Sequence, residues 1–133
     1  MDFYLDEENC YQRLLHDWLH YGSLIIAVDF DDTIYDFHKL GRSYDDVINL
    51  LKRWKPYSKI IIWTSHTEDE FPAIREYCDS IGLEIDGINT DAIPNVKGRK
   101  MYANVYVDDH AGLPSTYRML YRLIENIENG FKK

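Results

Sequence analysis

Cysteine is almost absent from this chain: Cys10 and Cys78 are the two it has. They lie far apart and fit no zinc, iron–sulfur or dithiol spacing, which excludes a disulfide scaffold and a thiolate metal centre. Two reduced thiols, one on a helix face, are expected in a cytosolic protein. No apolar run approaches the roughly 18 residues that cross a bilayer, so no membrane partner is expected. A basic leader is missing as well: the opening Met1-Asp2-Phe3-Tyr4-Leu5-Asp6-Glu7-Glu8 is acidic where a signal peptide is positive, and a cytoplasmic protein is expected. Positive charge is scarce, with 15 Lys and Arg against 23 Asp and Glu and a net charge of −8. That balance disfavours tight non-specific binding to nucleic acid or anionic lipid. Nucleic acid is therefore expected only as a substrate. Lys97-Gly98-Arg99-Lys100 is the one dense basic stretch.

Apolar and aromatic residues are plentiful. The chain is 45% hydrophobic and 14% aromatic, with eleven tyrosines, which excludes disorder. Its 133 residues suit one domain. We read residues 1–22 as a helical extension, 24–115 as the core and 115–130 as a closing helix.

Hydrophobic spacing gives the order of elements. Tyr11, Leu14, Leu15, Trp18 and Leu19 recur at helical spacing over residues 7–21, and Gly22 ends the pattern. Residues 24–28, Leu-Ile-Ile-Ala-Val, are a short branched run of the kind buried on both faces of a parallel sheet. Ser43 reads as a helix N-cap, with Val47, Leu50, Leu51 and Trp54 as the buried stripe and Pro56 as the stop. A second buried strand spans 59–63 and a helix runs from about Asp69 to Ser80, with Gly82 at C′. A weak strand is expected near 83–88 and another at 105–107. The last helix, about 115–129, turns Met119, Leu120, Leu123, Ile124 and Ile127 to the core. This alternation predicts an α/β fold with a parallel sheet in a three-layer, Rossmann-like arrangement, helices on both faces.

Polar residues gather where strands end: Asp29-Phe30-Asp31-Asp32-Thr33, Thr64-Ser65 and Asp108-Asp109. Right-handed crossovers bring the carboxyl ends of parallel strands to one edge, where ligands bind. Two carboxylates 4–5 Å apart repel by roughly 4 kcal/mol at an effective dielectric near 20. A divalent cation offsets that repulsion, and all-oxygen ligands suit Mg²⁺.

An apolar strand closed by Asp-x-Asp-x-Thr resembles the first motif of the haloacid dehalogenase superfamily. Ile60-Ile61-Ile62-Trp63-Thr64 resembles the second, a strand ending in Thr or Ser. The third is a lysine, and Val105-Tyr106-Val107-Asp108-Asp109 resembles the fourth. The run from Lys100 to Asp109 is similar to that of small capless members from bacteria and phages. Many members have Gly where this chain has Asp32. For the lysine, flanking residues favour Lys100, with Lys97 as the alternative. The loops 34–42 and 87–100 are too short to form a cap domain.

The resemblance implies a Mg²⁺-dependent phosphohydrolase. Asp29 would be the nucleophile that becomes an aspartyl-phosphate and Asp31 the general acid and base. Thr64 and Ser65 would bind a phosphoryl oxygen and Lys100 would neutralise charge. Mg²⁺ would be held by Asp29, the Asp31 carbonyl and Asp108, with Asp109 as a further ligand or outer acceptor. Thr33 would orient the first loop. His38 and Arg42 are candidate contacts for a phosphorylated substrate of unknown class. His66 and His110 follow strand ends and are read as exposed loop histidines. A response-regulator receiver uses similar residues in the opposite order, and a metal nuclease leaves Thr64 and the lysine unexplained. A silent or regulatory binding protein, a phosphotransferase and a nucleic-acid-end phosphatase remain open as alternatives.

Overall fold

The computed structural model describes residues 1–94, 96 and 98–131. Helix α1 spans Glu7–Tyr21, strand β1 Leu24–Val28, helix α2 Asp45–Trp54, strand β2 Ser58–Ile62 and helix α3 Phe71–Ser80. Strands β3 (Gly87–Ile88) and β4 (Val105–Val107) and helix α4 (Leu113–Glu128) complete the order. The four strands form one all-parallel sheet in the order β3-β2-β1-β4, with Ile26 opposite Ile60 on one side and Val105 on the other.

The expected elements are present, with local corrections. The second strand starts and ends one residue earlier than expected. The expected strand over 83–88 shrinks to Gly87–Ile88. Glu68–Glu70 forms a 3₁₀ turn ahead of α3, whose first turn carries Pro72. Ser43 Oγ accepts from the Asp45 backbone N–H at 3.2 Å, a turn just ahead of the N-cap residue Tyr44. Helix α4 begins two residues earlier than expected, at Leu113, with Pro114 in the first turn. Leu19 is exposed rather than part of the α1 stripe.

Strand alternation divides the core in two. Leu24, Ile26, Val28, Ile60, Ile62, Val105 and Val107 pack in one cluster with the buried residues of all four helices. Trp54 on α2 is fully buried there and donates through Nε1 to the Leu120 carbonyl at 3.0 Å. Ala27 and Ile61 point the other way and meet Met101, Ala92, Ala103 and Tyr106. That second face is covered by Ala92, Met101 and Ala103 from the connection between β3 and β4, which forms no helix among the described residues. Handedness explains the difference. Steps β1→β2→β3 run one way along the sheet and place α2 and α3 on one face. The step β3→β4 runs back across β2 and β1, so a right-handed connection lies on the opposite face. Helices on both faces were expected; here the second face carries an irregular crossing segment.

Asn104 anchors the end of that segment. Its backbone N–H donates to the Ile25 carbonyl at 2.9 Å. Its side-chain Oδ1 accepts from the Ile25 N–H at 2.7 Å, and its Nδ2 donates to Asp17 of α1 at 3.1 Å. Both cysteines are free thiols on helices, and burial pushes the Cys78 thiol up to about 11.

Helix α1 starts on a side-chain cap: the Asp6 carboxylate accepts from the Glu8 N–H at 3.0 Å. Gly22 closes it at φ +67°. Asp6→Ala is expected to lower stability by about 1 kcal/mol, read as a shifted urea midpoint with unchanged slope.

Candidate active site

The carboxyl ends of β1, β2 and β4 meet at one edge. The Asp29 N–H donates to the Val107 carbonyl at 2.9 Å and the Trp63 N–H to the Val28 carbonyl at 2.7 Å. The ladder therefore continues one residue past each strand and fixes where Asp29 begins. One carboxylate oxygen each from Asp29, Asp108 and Asp109 lies within 4.8 Å of the other two. Thr33, fully buried, ties the first motif to the last. Its Oγ1 is 3.1 Å from both Asp29 Oδ2 and Asp109 Oδ1, and it accepts from the Asp109 N–H at 3.1 Å. The one hydroxyl proton serves a single carboxylate at a time. Thr33 thus orients the loop, as expected.

In this setting Asp29 resists ionisation. Burial, then the hydrogen bond with Asp109, then the charge of Asp108 push Asp29 up to about 7, against the pull of the Thr33 hydroxyl. Unfolded, Asp29 returns to about 3.9. The folded state then holds more protons than the unfolded state between those values, so stability falls with rising pH across that window. With EDTA present, the melting temperature is expected to drop between pH 4 and 7.5, followed by calorimetry. A flat profile over that range counts against the cluster. The donors are carboxylates alone, with no thiolate or imidazole within the cluster, and that set fits a hard divalent cation such as Mg²⁺.

Asp31 stands apart from this cluster. The chain turns sharply after Phe30, whose carbonyl accepts from the backbone N–H groups of Thr33, Ile34 and Tyr35. Asp32 sits in that turn at φ +60°, a conformation that favours glycine and which Asp tolerates better than most residues. The Asp32 carboxylate faces His38 Nε2 at 3.2 Å and accepts from the Tyr44 hydroxyl at 3.3 Å. His38 is thereby engaged with the loop itself, and Arg42 is exposed on the same loop.

The Asp31 carboxylate turns to His66. Its Oδ2 lies 2.8 Å from His66 Nε2, while His66 Nδ1 lies 2.6 Å from Glu70 Oε2. Burial works against a charged ring, but the hydrogen bonds to Glu70 and Asp31 outweigh it and raise His66. The same bond lowers Glu70. The expectation of an exposed loop histidine is corrected for His66, whose side chain is 19% exposed, and holds for His110, at 91%. The sequence placed His66 after a strand end but did not show its contacts with Asp31 and Glu70.

Thr64 is half-buried at the end of β2 and held by a residue the sequence did not flag. Asn89, at φ +51°, accepts from the Thr64 N–H at 2.8 Å and donates to the Thr64 carbonyl at 2.7 Å. Thr64 Oγ1 accepts from the His66 N–H at 3.2 Å, leaving its own proton to donate. Ser65 is exposed. Lys100 is not brought to the acids: its Nζ sits over the Tyr106 ring, 5.3 Å from the centroid, and makes no ion pair among the described residues. Lys97, the alternative lysine, lies outside the described residues.

No helix described here is long and apolar enough to cross a membrane. No protein-family profile matches the chain, and no curated protein does. Among solved structures it is similar to one described as the conserved protein coded by a locus from Bacteroides thetaiotaomicron. The two are 26% identical, over 79% of this chain and 92% of that one, with a TM-score of 0.63. The likeness supports an α/β fold built on a parallel sheet.

Proposed function

We propose that this chain is a Mg²⁺-dependent phosphohydrolase of the kind its resemblance to the haloacid dehalogenase superfamily implies. One observation carries the reading: Asp29 meets Asp108 and Asp109 within 4.8 Å at the sheet edge, while Asp31, two residues on, is held outside that cluster. Two carboxylates on one loop in different surroundings suit two different roles.

In the reaction an Asp29 oxygen attacks phosphorus as the bond from phosphorus to the leaving oxygen breaks. Asp31 gives its proton to that oxygen. Water then attacks the phosphorus of the aspartyl-phosphate and passes a proton to Asp31, the Asp29–phosphorus bond breaks, and inorganic phosphate leaves. Mg²⁺ held by Asp29, the Asp31 carbonyl and Asp108, with Asp109 as a further ligand or outer acceptor, would supply charge neutralisation for the phosphoryl group. The Thr64 hydroxyl donates to a phosphoryl oxygen. No step is assigned to Lys100, whose ammonium would first have to leave the Tyr106 ring.

The strand order with its crossing segment belongs to the same Rossmann-like reading, as does a cytoplasmic setting in which Cys10 and Cys78 stay reduced. Neither the 29–44 nor the 89–104 connection forms a separate folded unit among the described residues, so the site is uncapped. His38 and Arg42 on the first of these are the proposed substrate contacts.

The test is a panel of phosphorylated metabolites, nucleotides and phosphorylated nucleic-acid ends, assayed for phosphate release with and without Mg²⁺. Turnover that requires Mg²⁺, and a beryllium fluoride adduct at Asp29, are expected. No release from any member together with no adduct would leave the silent binding protein as the better reading.

A further inference from the structure

We infer that His66, oriented by Glu70, is a positioning residue that fixes the Asp31 carboxylate for proton transfer at the leaving oxygen. The inference rests on the phosphohydrolase reading, in which Asp31 is the acid and base.

Asp31 has little else to hold it. Among the described residues its buried Oδ1 has no hydrogen-bond partner, and the 2.8 Å contact of Oδ2 with His66 Nε2 is the polar side-chain contact that sets the carboxylate plane. His66 is itself restrained on several sides. Nδ1 meets Glu70 Oε2 at 2.6 Å, and the backbone N–H meets Thr64 Oγ1 at 3.2 Å. The rings of Phe30 and Phe37 stand edge-on to the imidazole, each 6.2 Å away between centroids. A carboxylate–imidazole–carboxylate chain of this kind spends the rotamer freedom of three side chains. It gains a fixed direction for the last member.

Direction matters because general acid catalysis depends on the proton donor lying within hydrogen-bond reach of the atom it serves. An Asp on a tight turn, free to rotate, would meet that condition for a fraction of the time. The proton itself moves as already described, from Asp31 to the leaving oxygen and from water back to Asp31. His66 exchanges none in this scheme.

Two esters separate positioning from mere structural support. p-Nitrophenyl phosphate releases a stable phenolate that needs little protonation, whereas a primary alkyl phosphate releases an alkoxide that needs a proton. His66→Ala is expected to lower the ratio of alkyl to aryl kcat by about 10- to 100-fold, a part of the full general-acid effect. His66→Gln, which keeps a donor at similar reach, should restore most of that ratio. Glu70→Gln should fall between. Beryllium fluoride binding at Asp29 should persist in all three variants. In the metal-free protein, Asp31→Asn should move the His66 Nε2 resonance and Glu70→Gln the Nδ1 resonance.

Equal slowing of both esters, loss of beryllium fluoride binding, or a His66 ring insensitive to both neighbours would overturn the inference and leave the phosphohydrolase reading standing. A wild-type protein without any Mg²⁺-dependent turnover would overturn both.

Discussion

Asp29→Asn is expected to remove turnover and, in the same protein, to raise the melting temperature of the metal-free form at neutral pH. The two effects have one origin. The amide is nearly isosteric with the acid but cannot form a bond to phosphorus, so the rate should fall by on the order of 10⁵-fold or more, as when other enzymes lose a nucleophile. The amide also carries no charge into a site where burial, Asp109 and Asp108 already push Asp29 up to about 7. Above that pH the wild type holds an ionised Asp29 beside two more carboxylates, and the variant does not. The variant should lose the fall in stability between pH 4 and 7.5 that the wild type shows in EDTA. Retention of a tenth of wild-type turnover on an accepted substrate would remove Asp29 from the nucleophile role. An unchanged pH profile of stability would show that its ionisation is not what the cluster resists.

Mg²⁺ should raise the melting temperature of the wild type as well. A ligand that binds only the folded state stabilises it by about 2.7 kcal/mol at a hundredfold excess over its dissociation constant, or roughly 10 °C for a domain of this size. Asp108→Ala should abolish that rise, because Asp108 is one of the three carboxylates that meet within 4.8 Å. The same variant should lose turnover. The rise should shrink at acid pH, where protons compete with the cation for Asp29. A wild-type melting curve that does not move in millimolar Mg²⁺ would remove the metal site and the mechanism that uses it.

What the sequence made legible follows from range. Leu24–Val28 reads correctly because a branched apolar run lies between a glycine turn and an acid, and all of that information is local. Asp29 and Asp108 could be brought together from afar because parallel strands with right-handed connections share one edge. The His66 contact was hidden because it joins the turn after β1 to the loop after β2, and neither partner announces the other. Asn89 was hidden for a similar reason: its clamp on Thr64 needs a left-handed backbone angle that no residue pattern advertises. The 89–104 segment has neither the 3.6-residue nor the two-residue period. It was read as a loop, and handedness places its described residues on the second face, where the general expectation of helices on both faces does not hold. Lys100 was placed by motif order, which fixes position along the chain but not where four flexible methylenes lead.

The junction of β1 with β4 carries a consequence for the order of folding. Asn104 pairs with Ile25 across 79 residues of chain, whereas between β1 and β2 lie one α-helix and a 3₁₀ turn. Closing the longer loop costs more entropy, and such contacts form late. The acid cluster straddles that junction, with Asp29 on one side and Asp108 and Asp109 on the other. It does not exist until β4 docks. A cation that needs all three carboxylates therefore has nothing to grip in the transition state for folding, and its whole effect falls on the way out. On a chevron plot, added Mg²⁺ should lower the unfolding limb and leave the refolding limb in place. With Mg²⁺ added the protein would fold no faster, but once folded it would stay folded far longer.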